Sequence, residues 1–262
     1  MMVAKTRSLI LAVFVGTLAV ATVAAADIAR ATPPAAPTAP AEPSLGPAPN
    51  WIDHLDTYAT DSQLHGQGGW EGWANSEASG AFTRSTQARS IPNSVEIVGP
   101  SDLVHPYTGY TTGTWTYTAW QFIPSGGNGL SYFLLLNTYS NDAGCTGCNW
   151  STQVNFDLTT GTIVNDGASS GTSTAVFDTW VPIEVVIDLD ANTQTFFYDG
   201  ALLYTGTWTE EVSGGGAANI GTVDLFANGA TAVFYDDLSL SNMPFLDDFE
   251  SESTANWHFT LP

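Results

Sequence analysis

Three segments decide the fold: Trp115-Thr-Tyr-Thr-Ala-Trp-Gln-Phe-Ile123, Ser131-Tyr-Phe-Leu-Leu-Leu-Asn-Thr-Tyr139 and Trp150-Ser-Thr-Gln-Val-Asn-Phe-Asp-Leu158. Each is an extended run of strand-forming residues, and each is bounded by turn residues such as Pro124, Gly126, Gly127 and Gly129. Side chains alternate between the two faces of a strand. In the third segment Trp150, Thr152, Val154, Phe156 and Leu158 share one parity and Ser151, Gln153, Asn155 and Asp157 the other. In the first, Trp115, Tyr117 and Gln121 share a face; in the second, Phe133, Leu135, Asn137 and Tyr139 stand opposite Tyr132, Leu134 and Leu136. Consecutive strands are neighbours about two-thirds of the time. Side-by-side strands would gather Trp115, Tyr117, Gln121, Asn137, Tyr139, Gln153 and Asn155 on one face. Amides donate to and accept from sugar hydroxyls, and flat rings pack on pyranose C–H faces, so the expected ligand is a carbohydrate. The alternative is a solvated outer face whose rings reflect only strand propensity.

Working outward, Lys5 and Arg7, the apolar run from Leu9 to Val23 and Ala24-Ala25-Ala26 predict a secretory signal peptide over residues 1–26, with an uncleaved membrane anchor as the other reading. Residues 27–50 form a Pro- and Ala-rich spacer that cannot build a core. Residues 51–241 carry recurrent strand patterns broken by Gly, Asn, Asp and Pro, with no amphipathic helix of ordinary length. They predict one all-β domain of two packed sheets. Residues 242–262 are set apart as a C-terminal tail whose Asp-Phe-Glu-Ser composition resembles the closing segment of many exported surface proteins.

The chain has 26 acidic residues against five Lys and Arg, a net charge of −21. Losing Lys5 and Arg7 with the leader would leave −23. Nucleic acid is excluded as a partner, since phosphate binding needs clustered Lys and Arg. Acidic glycans are disfavoured by the same repulsion, which leaves a neutral glycan as the expected partner, while most of the acids serve solubility. Cys145 and Cys148 are the two cysteines. In an oxidising compartment they are expected to form a disulfide that tightens their turn, because His54, His65, His105 and His258 show no zinc-like spacing with them.

A further run, Trp180-Val-Pro-Ile-Glu-Val-Val-Ile-Asp-Leu-Asp190, continues through Ala191-Asn-Thr193 into Gln194-Thr-Phe-Phe-Tyr-Asp-Gly-Ala-Leu-Leu203, a hairpin. With Ala232-Val-Phe-Tyr-Asp-Asp-Leu-Ser-Leu240, Trp51-Ile-Asp-His-Leu-Asp-Thr-Tyr58 and Gly66-Gln-Gly-Gly-Trp-Glu-Gly-Trp73, it resembles the concanavalin A-like lectin/glucanase superfamily, above all its laminin-G-like members. The resemblance implies a two-sheet antiparallel jelly-roll β-sandwich with a glycan site on the concave sheet. It also implies structural calcium where the first and last strands meet, held by Asp53, Asp56 and Asp237 rather than Asp236. Trp120, Trp180 and Phe197 are expected in the core. Trp70 and Trp73 are either platforms at a groove rim or plugs at one end of the sandwich.

The superfamily's glucanases carry Glu-x-Asp-x-x-Glu, placing two carboxylates for retaining hydrolysis, and that pattern does not occur. Glu184, Asp188 and Asp190 are the nearest substitutes, and a solvated hairpin accounts for the latter two. A lyase would rest on Tyr139 with Asn137 and Gln121. The sequence therefore favours an exported, non-enzymatic carbohydrate-binding domain, secreted or at the cell surface, over a lyase or hydrolase of the same fold and over a surface adhesion or structural domain.

Overall fold

The computed structural model describes residues 48–242. The expected signal peptide, most of the spacer and residues 243–262 lie outside the described residues. The last spacer residues are held by the domain: Tyr110 Oη donates to the Pro49 carbonyl (2.8 Å), and Asn50 Oδ1 accepts from the backbone N–H of Asn242 (3.1 Å).

One sheet has eight strands: β1 (Trp51–Asp53), β3 (Phe82–Arg84), β4 (Ser94–Ile97), β6 (Thr114–Phe122), β11 (Trp180–Asp188), β12 (Thr193–Tyr198), β13 (Ala201–Thr207) and β15 (Val233–Ser241). Their order is β13-β12-β11-β6-β15-β4-β3, with β1 also pairing with β15. The other sheet has seven: β2 (Glu71–Gly72), β5 (Asp102–Pro106), β7 (Leu130–Thr138), β8 (Asn149–Asp157), β9 (Thr162–Asn165), β10 (Thr172–Thr174) and β14 (Thr222–Asn228). They run β10-β9-β8-β7-β14-β5-β2, and the strand ladders in both sheets are antiparallel. This is the two-sheet antiparallel jelly-roll sandwich that the sequence implied.

Alternation builds the core. In β11, Val181, Ile183, Val185 and Ile187 point inward while Glu184 and Asp188 point away. They meet Phe133, Leu135, Val154, Phe156, Val223 and Leu225 of the seven-stranded sheet in one buried cluster. Tyr117 of β6 joins the layers edge-to-face with Phe133 at 5.8 Å, and Phe133 packs on Phe196 at 6.0 Å. Burying such a ring stabilises the sandwich by about 1.5–3 kcal/mol. Asp199 and Gly200, both left-handed (φ 50° and 72°), make the two-residue turn from β12 to β13.

The three diagnostic strands divide between the sheets: β7 and β8 pair directly, but β6 lies in the other sheet between β11 and β15. Partners distant in sequence therefore won over the sequential neighbour, and the glycine-rich segment after Pro124 carries the chain across the sandwich. Trp120, Trp180 and Phe197 also depart from expectation. They take the outward parity of the eight-stranded sheet and are half-buried. Trp70 is fully buried, so it is the plug, whereas Trp73 stays partly open.

Where β1 meets β15, a bulge between Asp236 and Ser239 turns Asp237 into the left-handed region (φ 46°). Both carboxylates are committed to protein donors. Asp236 accepts from the backbone N–H groups of Arg89 (2.7 Å), Ser90 (3.1 Å) and Asp237 (2.8 Å). Asp237 pairs with His54 Nδ1 (2.6 Å) and with the Arg89 guanidinium, which lies 3.7 Å over the Trp120 ring. Asp53 accepts from Leu55 N, Tyr58 Oη and Trp70 Nε1, and Asp56 from Asn93 N. No three His, Cys, Asp or Glu side chains among the described residues converge as a metal site. Asp53, Asp56 and Asp237 therefore do not fit the expected calcium ion: Arg89 supplies the cation at this junction.

Arg89→Ala leaves Asp237 short of its counter-charge in a buried setting and is expected to destabilise the fold by about 3 kcal/mol. Urea unfolding of the two proteins reads the difference. EDTA or added calcium is expected to leave the wild-type midpoint unmoved, and a calcium-dependent midpoint would show the reading of this junction to be wrong.

Candidate functional site

Register across the outer face of the seven-stranded sheet brings unlike side chains into rows. One row runs Glu71, Val104, Asp224, Leu134, Gln153 across β2, β5, β14, β7 and β8. The next runs Asp102, Phe226, Tyr132, Asn155 across β5, β14, β7 and β8. Asp102 and Asp224 are thus diagonal neighbours on adjacent strands, within side-chain reach. Trp73, in the 3-10 turn Trp73–Asn75 after β2, stacks beside Trp150 (6.0 Å, 22°) and tilts on Tyr139 (5.4 Å). Tyr132 and Phe226 stack at 5.8 Å. Trp73, Trp150, Tyr132 and Phe226, with Asp102, Asp224, Leu134, Gln153 and Asn228, line a groove of about 350 Å³.

Two local features aim the tryptophans. Ser151 is an extra residue in β8, since Leu135 pairs with Thr152 and Leu136 with Trp150. The bulge moves Trp150 from the inward parity of Val154 to the outer face. Gly72 precedes Trp73 where a Cβ would stand 2.0 Å from the Ser76 carbonyl, so only glycine lets the turn close on itself.

The electrostatics of the groove are unbalanced. Asp224 is 4% exposed, and the Oδ1 atoms of Asp102 and Asp224 receive no N–H or O–H from a donor among the described residues. Their carboxyls come together across adjacent strands, and burial with the like charge favours a proton held by the pair. Burial first, then the Asp102 charge, pushes Asp224 well above the usual carboxylate range, and burial raises Asp102 as well. Tyr139 lies beside Glu71; burial and then the Glu71 charge raise its phenol, which stays protonated. Arg84 and Arg89 are the only Lys or Arg among the described residues. Arg84 is bound to Asp61 and Glu96, Arg89 to Asp237. Neither borders the groove.

Of the residues expected to form the site, Gln153 lines the groove, Asn155 stands one row away and donates to Asp166 (2.7 Å), and Tyr139 abuts Trp73. The other four are sealed between the sheets or at their end. Trp115 Nε1 donates to the Thr112 carbonyl (2.8 Å), Tyr117 Oη bonds Tyr107 Oη (3.0 Å), and Gln121 Nε2 donates to Tyr235 Oη (2.8 Å). Asn137 Nδ2 reaches Asn149 Oδ1 (2.6 Å) and Ser151 Oγ (2.9 Å) while its Oδ1 accepts from Ala217 N (3.2 Å). Their parity is the inward one, so Trp115, Tyr117, Gln121 and Asn137 cannot touch a ligand on the outer face. Trp73 takes the rim-platform alternative, while Trp150, Tyr132, Phe226, Asp102 and Asp224 were missed. An aspartate inside the apolar run Thr222-Val-Asp-Leu-Phe226 was the available signal, because an ionisable group in a central strand needs a reason. A larger depression of about 470 Å³, lined by Gln63, Glu77, Phe82 and Val98, offers one carboxylate and one ring.

The sequence matches no known protein family and no characterised protein. Among solved structures, an endo-β-1,4-glucuronan lyase of the fungus Trichoderma reesei is similar over 77% of this chain and 96% of its own, at 9% identity and a TM-score of 0.47. A Caenorhabditis elegans galectin is similar over 56% of this chain and 95% of its own (12% identity, TM-score 0.38). A Trypanosoma rangeli sialidase is similar over 64% of this chain and 28% of its own (13% identity, TM-score 0.45). Similarity at this level identifies no activity.

The shared proton gives the fold a pH dependence of known sign. The folded pair holds a proton that the unfolded chain releases above the ordinary aspartate value of 3.8, so stability falls as pH rises from there. Asp224→Asn keeps a donor for the Asp102 carboxylate and removes the titration. Thermal melts across pH should show a shallower decline in the variant, and parallel declines would count against the shared proton.

Proposed function

We propose that the protein is an exported carbohydrate-binding domain of concanavalin A-like type. It holds a glycan free of acidic groups, without cleaving it, in the groove on the outer face of the seven-stranded sheet. The observation that carries this reading is the wall of partly open rings, Trp73, Trp150, Tyr132 and Phe226, around Gln153, Asn228 and two carboxyls. Rings offer stacking faces to a pyranose, and the amides and carboxyls answer its hydroxyls. Acidic sugars are disfavoured by uncompensated Asp102 and Asp224. Export is supported by the leader-like N-terminus and by the Cys145–Cys148 disulfide, and no helix among the described residues is long and apolar enough to cross a membrane.

The Asp102–Asp224 pair is the one feature that favours a glycosidase. Hydrolysis, however, places its two carboxyls on either side of the scissile bond, about 5 Å apart or more. Asp102 and Asp224 are instead diagonal neighbours on adjacent strands, side by side rather than on either side of a bound sugar, so binding is the better reading.

Glycan-array screening followed by calorimetry tests it. Trp73→Ala and Trp150→Ala should each weaken the bound glycan about tenfold, the loss of one stacking contact. Tyr117→Phe, which removes only a buried hydroxyl, should leave affinity unchanged. Release of reducing ends or unsaturated sugars from the bound glycan would replace the binding reading with an enzymatic one.

A further inference from the structure

The Asp102–Asp224 pair asks for something the chain does not supply. Two carboxyls lie together under the groove, Asp224 almost wholly buried, and an uncompensated buried charge is costly. No guanidinium or ammonium of the described residues reaches them, since Arg84 and Arg89 are engaged elsewhere. Gln153 and Asn228 line the same groove, yet no donor meets either Oδ1. A shared proton is the compensation available to the empty groove.

Resting on the glycan-binding reading above, we infer that the Asp102–Asp224 pair seats a protonated amine of the bound saccharide. The groove then prefers glycans with free amino groups, such as glucosamine units, over their N-acetylated or hydroxyl counterparts. An ammonium displaces the shared proton and presents three donors, enough to bond both carboxylates at once. The walls suit the same charge. Trp73, Trp150, Tyr132 and Phe226 present ring faces, and a cation over an aromatic face is attracted by the ring's quadrupole, more so where water is excluded. Glu71, two strands from Asp224 in the same row, and Asp166, beyond Gln153 and Asn155, extend the negative field without a positive group between them. A divalent metal ion fits less well. It demands six or more oxygens, and no third His, Cys, Asp or Glu among the described residues converges with the pair. N-acetylation removes the charge, and an acidic sugar meets two carboxyls it cannot pair with.

The test compares three ligands against the full chain by calorimetry at mildly acidic pH, where the amines are charged: a glucosamine hexamer, an N-acetylglucosamine hexamer and cellohexaose. The glucosamine hexamer should bind at least about tenfold more tightly than either, about 1.4 kcal/mol. Asp224→Asn and Asp102→Asn should each abolish that preference, so that the three ligands bind each variant alike. Asparagine can donate to the remaining carboxylate, and matching circular dichroism spectra would verify that the variants fold. Equal affinity for the three ligands overturns the amine seat and leaves the groove reading standing. A preference that survives in both Asn variants belongs to the acidic surface at large and overturns the seat too. No binding of any of the three, with no hit on a glycan array, removes both readings.

Discussion

The constraint on which the rest depends is the meeting of the two inner faces. Tyr117 and Phe196 from one sheet close on Phe133 from the other, and the aliphatic rows of β11, β8 and β14 fill the space around them. Once those inward parities are fixed, every alternate residue on β5, β7, β8 and β14 is committed to the outer face. The groove is thus a consequence of the core. Asp224 looks outward because Val223 and Leu225 look inward, and Gln153 because Thr152 and Val154 do.

The junction of the first and last strands is closed by charge. Asp236 and Asp237 lie at a bulge in the last strand, where ladder hydrogen bonds are interrupted and backbone N–H groups of residues 89 and 90 turn in to meet a carboxylate. Burial alone would raise the Asp237 carboxyl, but the His54 hydrogen bond and the Arg89 charge hold it below the ordinary range. Arg89 also covers Trp120, so one side chain joins β15, the first strand's exit and the outer face of β6. The guanidinium is tethered by its own backbone N–H on Asp236 and meets the Asp237 carboxylate directly.

Two-fold periodicity made the strands, the hairpin at Asn192 and the sandwich class legible in the sequence, because those properties depend on local alternation and turn chemistry. It did not reveal which strands pair. Trp115, Tyr117 and Gln121 alternate just as Gln153 and Asn155 do, and nothing local says that β6 belongs to the opposite sheet, where its aromatic parity is the buried one. Tyr and Gln are ambiguous for the same reason: a buried hydroxyl or amide is tolerated when another side chain satisfies it, as Tyr235 satisfies the Gln121 amide nitrogen. The inserted Ser151 was invisible as well. A strand with one extra residue still alternates on either side of it, but with the parity exchanged, and Trp150 was assigned from the wrong half. Asp102 and Asp224, by contrast, were readable in principle, since a carboxylate between Val223 and Leu225 is exceptional in a central strand.

Irregularities shape the groove. The Ser151 bulge, the register shift around Asn137 and the Gly72 turn with left-handed Ala74 and Asn75 all border the seven-stranded sheet's outer face. The opposite sheet alternates without a break through β11 but carries breaks of its own at Phe196–Phe197 and Asp236–Ser239. A regular antiparallel strand can present only every second side chain at fixed spacing, so two tryptophans can be brought side by side over an acid pair only by breaking that spacing. Each break sacrifices ladder hydrogen bonds or admits positive φ. Here the breaks bring two tryptophans beside a buried acid pair that no cation among the described residues compensates, which argues that this face, rather than the larger depression beside Phe82, is the one shaped for a ligand.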